Sequence, residues 1–321
     1  MSVLIETKSL KKYFETPKGL LHAVDGVSLQ IEQGKTLGIV GESGCGKSTL
    51  GRLLLHLLDS TGGQIFFEGK DITNVNPKQL KELRKHMQMI FQDPYASLNP
   101  RMTVSEIIEE PLRIYKVHRT KQEYENRVRE LMKVVGLTER VARAYPHELD
   151  GGRRQRIGVA RALALQPKFI VCDEPVSSLD VSIQAQILNL MQDLQKEFGL
   201  TYIFVTHDLS VVKHISNDIC VMYLGIVVEK CTTKELFKKQ YHPYTQALLS
   251  AIPRPSLKVN EKRIVLKGEL TSPINPGPGC RFASRCINVK DICWKENPAY
   301  EEATPGHFVS CHFANTKVPI S

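Results

Sequence analysis

The chain has 321 residues, 42% hydrophobic and 24% charged, enough for one large domain with an appendage or for two domains. No stretch approaches the roughly 18 uninterrupted apolar residues of a membrane-spanning helix, and MSVLIETKSLKKYFE lacks a secretory apolar core, so a cytosolic protein is expected. The net charge of +9 raises nucleic acid as a partner, but basic runs such as KQLKELRKH mix signs, which favours a solvated surface; attraction to anionic lipid or a membrane partner's loops fits equally.

In chain order, the first 30 residues alternate apolar and polar positions (LIETKSLKKYF, AVDGVSLQI), predicting a small antiparallel sheet that QIFFEGKDIT extends. Thr36 to Val40 reads as the first strand buried on both faces. Phe169–Asp173, Thr201–Thr206 and Ile219–Leu224 are the other such strands, short, β-branched and without alternation. Residues 104–165 show no convincing strand and predict a largely helical insert. Ile183, Ile187, Leu190, Leu194 and Phe198 recur at helical spacing, with Gly199 placed as a C-terminal cap. From Ile252 onward proline and glycine become dense (PRPSL, TSPINPGPGC), which marks a linker and a small, separately stabilised tail.

Between the strand KTLGIV and the apolar-periodic STLGRLLLHLL lies GESGCGKST, matching G-x-x-x-x-G-K-[ST] with Gly41, Gly46, Lys47 and Ser48 in place. Strand, glycine loop and helix in that order separate a phosphate-binding loop from an ordinary Gly-rich turn. Backbone N–H groups of such a loop curl round a polyphosphate, and the helix N-terminus adds partial positive charge. Candidate nucleotide contacts are therefore Gly41, Ser43, Gly44, Cys45, Gly46, Lys47, Ser48 and Thr49, with Lys47 on the outer phosphates and Ser48 on Mg²⁺. Phe169-Ile-Val-Cys-Asp-Glu-Pro175 ends an apolar strand in two carboxylates, a costly arrangement unless a cation or substrate offsets them. Asp173 is expected to hold Mg²⁺ and Glu174 to activate the attacking water.

Eight cysteines divide into two groups. Cys45, Cys172, Cys220 and Cys231 are scattered and read as small buried hydrophobes. Cys280, Cys286, Cys293 and Cys311 fall in the last 42 residues with spacing C-x5-C-x6-C-x17-C, which lacks the paired C-x2-4-C of zinc knuckles. Disulfides do not suit a cytosolic protein. Four thiolates in a core-poor tail suit a [4Fe–4S] cluster first, Zn²⁺ second and free thiols third; ligation would supply folding free energy the segment lacks.

Taken together, GESGCGKST, FQDP with Gln92, ELDGGRRQR, IVCDEP, SSLD and VTHD with His207 occur in an order that resembles the ATP-binding-cassette ATPases. The resemblance covers about residues 3–250. It implies an α/β fold: a P-loop NTPase (RecA-like) core with an antiparallel β subdomain and a helical subdomain near 93–165. It also implies residues 1–252 as the nucleotide-binding domain and 253–321 as a small Cys-rich C-terminal domain. By the same resemblance Gln92 contacts Mg²⁺ or water, Asp180 lies at a dimer seam, His207 touches the γ-phosphate and Tyr13 stacks on adenine. Asp150, Gly151 and Gly152 would face the nucleotide of a second cassette in a head-to-tail pair. The family's signature usually reads Leu-Ser-Gly-Gly-Gln, whereas this chain has Leu149-Asp150-Gly151-Gly152-Arg153. A carboxylate there would repel a γ-phosphate by about 1 kcal/mol in water and about 4 at an effective dielectric near 20. A weakened site, with Arg153 compensating, is the expectation.

QDPYASLNPRMTV (92–104), HPYTQALLSAIPRP (242–255) and GELTSPINPGPGCRFASRC (268–286) extend the resemblance over essentially the whole chain, to the second ATPase subunit of bacterial dipeptide/oligopeptide importers. That resemblance implies two transmembrane permease subunits, a second ATPase subunit and, indirectly, an extracytoplasmic peptide-binding protein, with this chain peripheral at the cytoplasmic face. Relatives of this subunit carry a [4Fe–4S] cluster. Related nickel importers share the layout, a soluble cassette ATPase on nucleic acid or ribosomes is a further alternative, and a third reading makes the cysteine tail a redox sensor.

Overall fold

In the computed structural model, which describes residues 2–252, 264–266, 268 and 272–314, the chain forms β1 (Val3–Thr16), β2 (Gly19–Glu32), β3 (Thr36–Val40), α1 (Lys47–Leu54), β4 (Gly62–Phe67), β5 (Lys70–Asp71) and α2 (Pro77–His86). It continues through β6 (Met87–Ile90), α3 (Pro94–Ser97), α4 (Val104–Ile114), α5 (Lys121–Val134), α6 (Gly151–Leu163), β7 (Phe169–Asp173), α7 (Val181–Phe198) and β8 (Thr201–Val205). The last elements are α8 (Leu209–Ile215), β9 (Asp218–Tyr223), β10 (Ile226–Thr232), α9 (Thr233–Lys238), α10 (Pro243–Ser250), α11 (Asp291–Lys295), β11 (Glu301–Thr304) and β12 (His307–Val309).

Two compact units result, one from residues 1–74 with 204–321 and the other from 75–203. In the first, the alternation of the N-terminal segment builds an antiparallel sheet in the order β2-β1-β4-β5. Its register sets Tyr13 opposite His22. The second sheet of this unit runs β11-β12-β10-β9-β3, with β3 parallel to β9 and Ile39 opposite Cys220. All five residues of β3 are buried, as an apolar run covered on both faces requires. Apolar side chains of α8, β9, α9, α10 and the tail (Val212, Val221, Leu236, Tyr244, Phe282) pack into one core around Val40.

The tail does not stand apart. Ile274 bridges Leu21, His22 N–H donates to Pro273 O at 2.9 Å, and β12 pairs with β10. Phe282 packs edge-on against Tyr223, with ring centroids 5.1 Å apart. The described part of 253–321 is thus built onto the nucleotide-loop unit, because β2 and β10 offer it open strand edges and Phe282 a place in the core. The linker expected at PRPSL lies outside the described residues.

In the second unit β6 pairs parallel with β7, Met89 opposite Val171. The helices start where the sequence supplies caps: Asn76 with Gln79, Thr103 with Glu106 and Thr120 with Glu123 each form a capping box. Ile107, Ile108, Leu112, Val128, Leu131 and Ile157 form buried faces. Gly199 ends α7 at φ 63°, a left-handed conformation that Gly adopts without a Cβ penalty. Residues 104–165 contain no strand, as the sequence implied, while β6 and β10 to β12 are strands that its patterning did not reveal. No helix of the described residues is long and apolar enough to cross a membrane.

Candidate nucleotide site

Between β3 and α1 the backbone passes through Gly41 (φ 152°), Gly44 (77°) and Gly46 (104°). A Cβ at Gly46 would lie 2.1 Å from Ala23 O, and one at Gly41 2.2 Å from Met222 O, so both positions exclude any side chain. Lys47, only 5% exposed, turns its ammonium onto the loop's own carbonyls, Gly41 O at 2.8 Å and Glu42 O at 3.0 Å. Ser43 and Gly44 are exposed, Ser48 and Thr49 half-buried. Cys45 is buried; desolvation raises its thiol pKa, with Lys47 opposing. The thiol therefore stays protonated at neutral pH.

Tyr13 lies with one ring face on His22, centroids 3.9 Å apart, and its hydroxyl donates to Asp25 Oδ1 at 2.5 Å. His22 Nδ1 also meets Asp25, at 2.9 Å. Burial and the Asp25 hydrogen bond push the Tyr13 phenol up to about 12. His207 is exposed just beyond β8, where Thr206 N–H donates to Ile39 O at 3.1 Å and ties the segment to β3.

In the second unit β7 ends at Asp173, 4% exposed, followed by Glu174 at φ 46°. A non-glycine residue held there carries strain of order 1–3 kcal/mol, of the kind found at functional sites. Gln92 Nε2 donates to Glu174 Oε2 at 3.0 Å, so two predicted site residues 82 positions apart meet.

Asp150 caps α6, accepting from Arg153 N–H at 2.8 Å, and Arg153 Nε lies 3.3 Å from its other oxygen. The carboxylate is a sound N-cap, and its charge has a cationic neighbour in Arg153. A Cβ at Gly152 would meet Ile183 Cγ2 at 2.7 Å and one at Gly151 Leu179 Cδ2 at 3.0 Å, so Leu179 and Ile183 pack closely over these glycines. Asp180 is an exposed N-cap of α7, accepting from Ile183 N–H at 3.1 Å.

Cys280, Cys286, Cys293 and Cys311 line a single cavity of about 50 Å³. Cys280 N–H donates to Cys293 O at 2.7 Å. Burial pushes the Cys280 thiol up to about 11, and Cys286 and Cys311 are raised likewise. Among the described residues no group of three or more His, Cys, Asp or Glu side chains is arranged to hold a metal ion, whether zinc or the iron of a cluster.

Sequence reasoning missed the polar contacts reaching these loops from the tail. Arg285 binds both oxygens of Glu42, at 2.6 and 3.1 Å, and Arg281 bridges Asp25 and Leu224 O. Glu229, fully buried, accepts from the Tyr241 and His242 N–H groups and meets His307 Nε2 at 2.7 Å. Two arginines beside cysteines were the only local signal.

Residues 24–177 match the ABC transporter family, and residues 228–293 match the C-terminal region of oligopeptide/dipeptide transporters. The chain is 53% identical over 319 residues to the oligopeptide transport ATP-binding protein AppF of Bacillus subtilis (strain 168), covering 96% of this chain and 97% of that protein. It is 51% identical to the oligopeptide transport ATP-binding protein OppF of Escherichia coli (strain K12), covering 97% and 93%. Among solved structures it resembles the ATP-binding cassette MJ0796, a post-hydrolysis dimer bound to ADP and Pi. The TM-score is 0.66 at 30% identity, over 72% of this chain and 99% of that one.

Proposed function

The chain belongs to the ABC transporter ATPases of the oligopeptide/dipeptide importer family, and we propose that it hydrolyses ATP at the cytoplasmic face of the membrane to drive import of di- or oligopeptides. The observation that carries this reading is the glycine-locked loop that already holds Lys47 buried at its centre. Backbone N–H groups of this loop cradle the polyphosphate. Lys47 exchanges its two loop carbonyls for phosphate oxygens, so little reorganisation is needed. Ser48 and Asp173 would hold Mg²⁺, which supplies charge neutralisation on the phosphates.

Glu174 takes a proton from the attacking water, and Gln92, already hydrogen-bonded to it, fixes its orientation. His207 serves the γ-phosphate. Tyr13 offers a ring face to adenine while Asp25 holds its other end. Two cassettes pair head to tail, with Asp150, Gly151, Gly152 and Asp180 presented to the partner's nucleotide. ATP favours the closed pair and hydrolysis the open one, which moves two permease subunits; peptide arrives through an extracytoplasmic binding protein.

For the four tail cysteines we propose a [4Fe–4S] cluster: all four line one cavity, and their thiolates would hold the irons there. When bound, the cluster would crosslink the tail; the chain's own part is to gather four thiols from a short segment.

The reading is tested by ATP hydrolysis in the complex assembled with permeases and a partner cassette. Peptide-loaded binding protein should stimulate it and DNA or RNA should not. The opposite pattern would make this a nucleic-acid cassette.

A further inference from the structure

We propose that Arg285, in the loop between Cys280 and Cys286, is a positioning residue of the nucleotide site: it neutralises the Glu42 carboxylate inside the phosphate loop and so sets ATP affinity. This rests on the reading of residues 41–48 as the ATP site. A carboxylate in a loop that must receive a polyanion is unfavourable by itself. Glu42 is held on three sides. Its carboxylate takes the Arg285 guanidinium fork at 2.6 and 3.1 Å, its N–H donates to Tyr244 Oη at 2.8 Å, and its carbonyl accepts Lys47 Nζ at 3.0 Å. The fork geometry fixes the carboxylate's direction as well as its charge. Arg285 is 8% exposed, which weakens solvent screening of the pair.

The same short loop grips the adenine side. Arg281 bridges Asp25, which holds Tyr13 and His22, and Leu224 O. The next residue, Gly225, donates to Cys45 O at 2.9 Å and accepts from Asp25 N–H at 2.8 Å. Base strand, phosphate loop and cysteine loop therefore meet in one hydrogen-bonded junction, with Phe282 between the two arginines packed on Tyr223 and Tyr244. The tail acts as an outer wall of the nucleotide site.

The test is binding of a fluorescent ATP analogue to the full chain, alone and in the assembled complex, at low and at about 1 M salt. Arg285→Ala should weaken binding about tenfold at low salt, and the deficit should shrink at high salt. Arg285→Lys, a point charge without the fork, should fall between. Glu42→Gln in the Arg285→Ala background should restore affinity to within about twofold. Glu42→Gln alone, which needs no arginine variant to fold, should bind ATP several-fold more tightly, since a negative charge leaves the loop. A merely structural arginine would make the double variant as weak as Arg285→Ala, and a weaker Glu42→Gln would overturn the proposal. So would unchanged Arg285→Ala affinity while Lys47→Ala abolishes binding. Should Lys47→Ala bind as the unaltered chain does, the ATP-site reading itself falls and takes this one with it.

Discussion

The side-chain amide of Gln92 donates to the Glu174 carboxylate across 3.0 Å, at the end of β7 where Glu174 adopts φ 46°. The strained backbone and the amide together aim one carboxylate, the arrangement a general base needs. Glu174→Gln should lower turnover by about 10² or more while ATP affinity stays within roughly threefold. Gln92→Ala, which removes this hydrogen bond from the proposed base, should cost about tenfold. Phosphate release and calorimetry on the same preparations check both; equal loss of binding and turnover would contradict the assignment.

Asp150 and Arg153 form an ion pair at the start of α6, and the carboxylate also caps the helix. Asp150→Ser with Arg153→Gln preserves a capping oxygen, so the melting temperature should hardly move, while Asp150→Ala should lose about 1 kcal/mol. Asp150→Ser alone, which removes the carboxylate and leaves Arg153, should raise turnover several-fold at the nucleotide bound to the partner's phosphate loop, as removal of a like charge implies. Unchanged turnover would mean that Arg153 already cancels the charge.

Tyr13 lies on His22 with its hydroxyl on Asp25, and a test of base stacking follows from that geometry. Tyr13→Ala should weaken ATP binding by about 1–3 kcal/mol and Tyr13→Phe by much less. Identical affinity in the Ala variant would make the ring plain packing.

Much of this was readable from short segments. The phosphate loop, β3 and β7 are local patterns whose burial depends on their own composition, and Asp150, Thr103 and Thr120 cap helices from adjacent residues. β6 escaped notice because four residues with Gln88 among them make too short a pattern. β10 was hidden by Glu229 and Lys230, which look like surface residues. Glu229 is buried because the Tyr241 and His242 N–H groups and His307, 78 positions on, meet it. Arg285 and Glu42 are 243 residues apart, and neither neighbourhood points to the other. The proline-rich tail read as a separate module because its partners, Leu21 and Tyr223, lie far away in the chain.

The cavity of the four tail cysteines makes a prediction about colour and metal. Protein prepared without oxygen should be brown, absorb broadly near ~400 nm and contain iron and sulfide in about equal, four-atom amounts. Cys286→Ser should lose the colour and lower the melting temperature, since ligation of the proposed cluster would contribute to folding of the segment. A colourless protein with stoichiometric zinc would refute the cluster.

The most direct test is peptide uptake by liposomes holding the complete transporter, with peptide-loaded binding protein and ATP on opposite sides. Peptide should accumulate only with ATP, in step with hydrolysis, and Lys47→Ala should abolish both. Uptake that persists in the Lys47→Ala complex, or hydrolysis that ignores peptide throughout, would contradict the account.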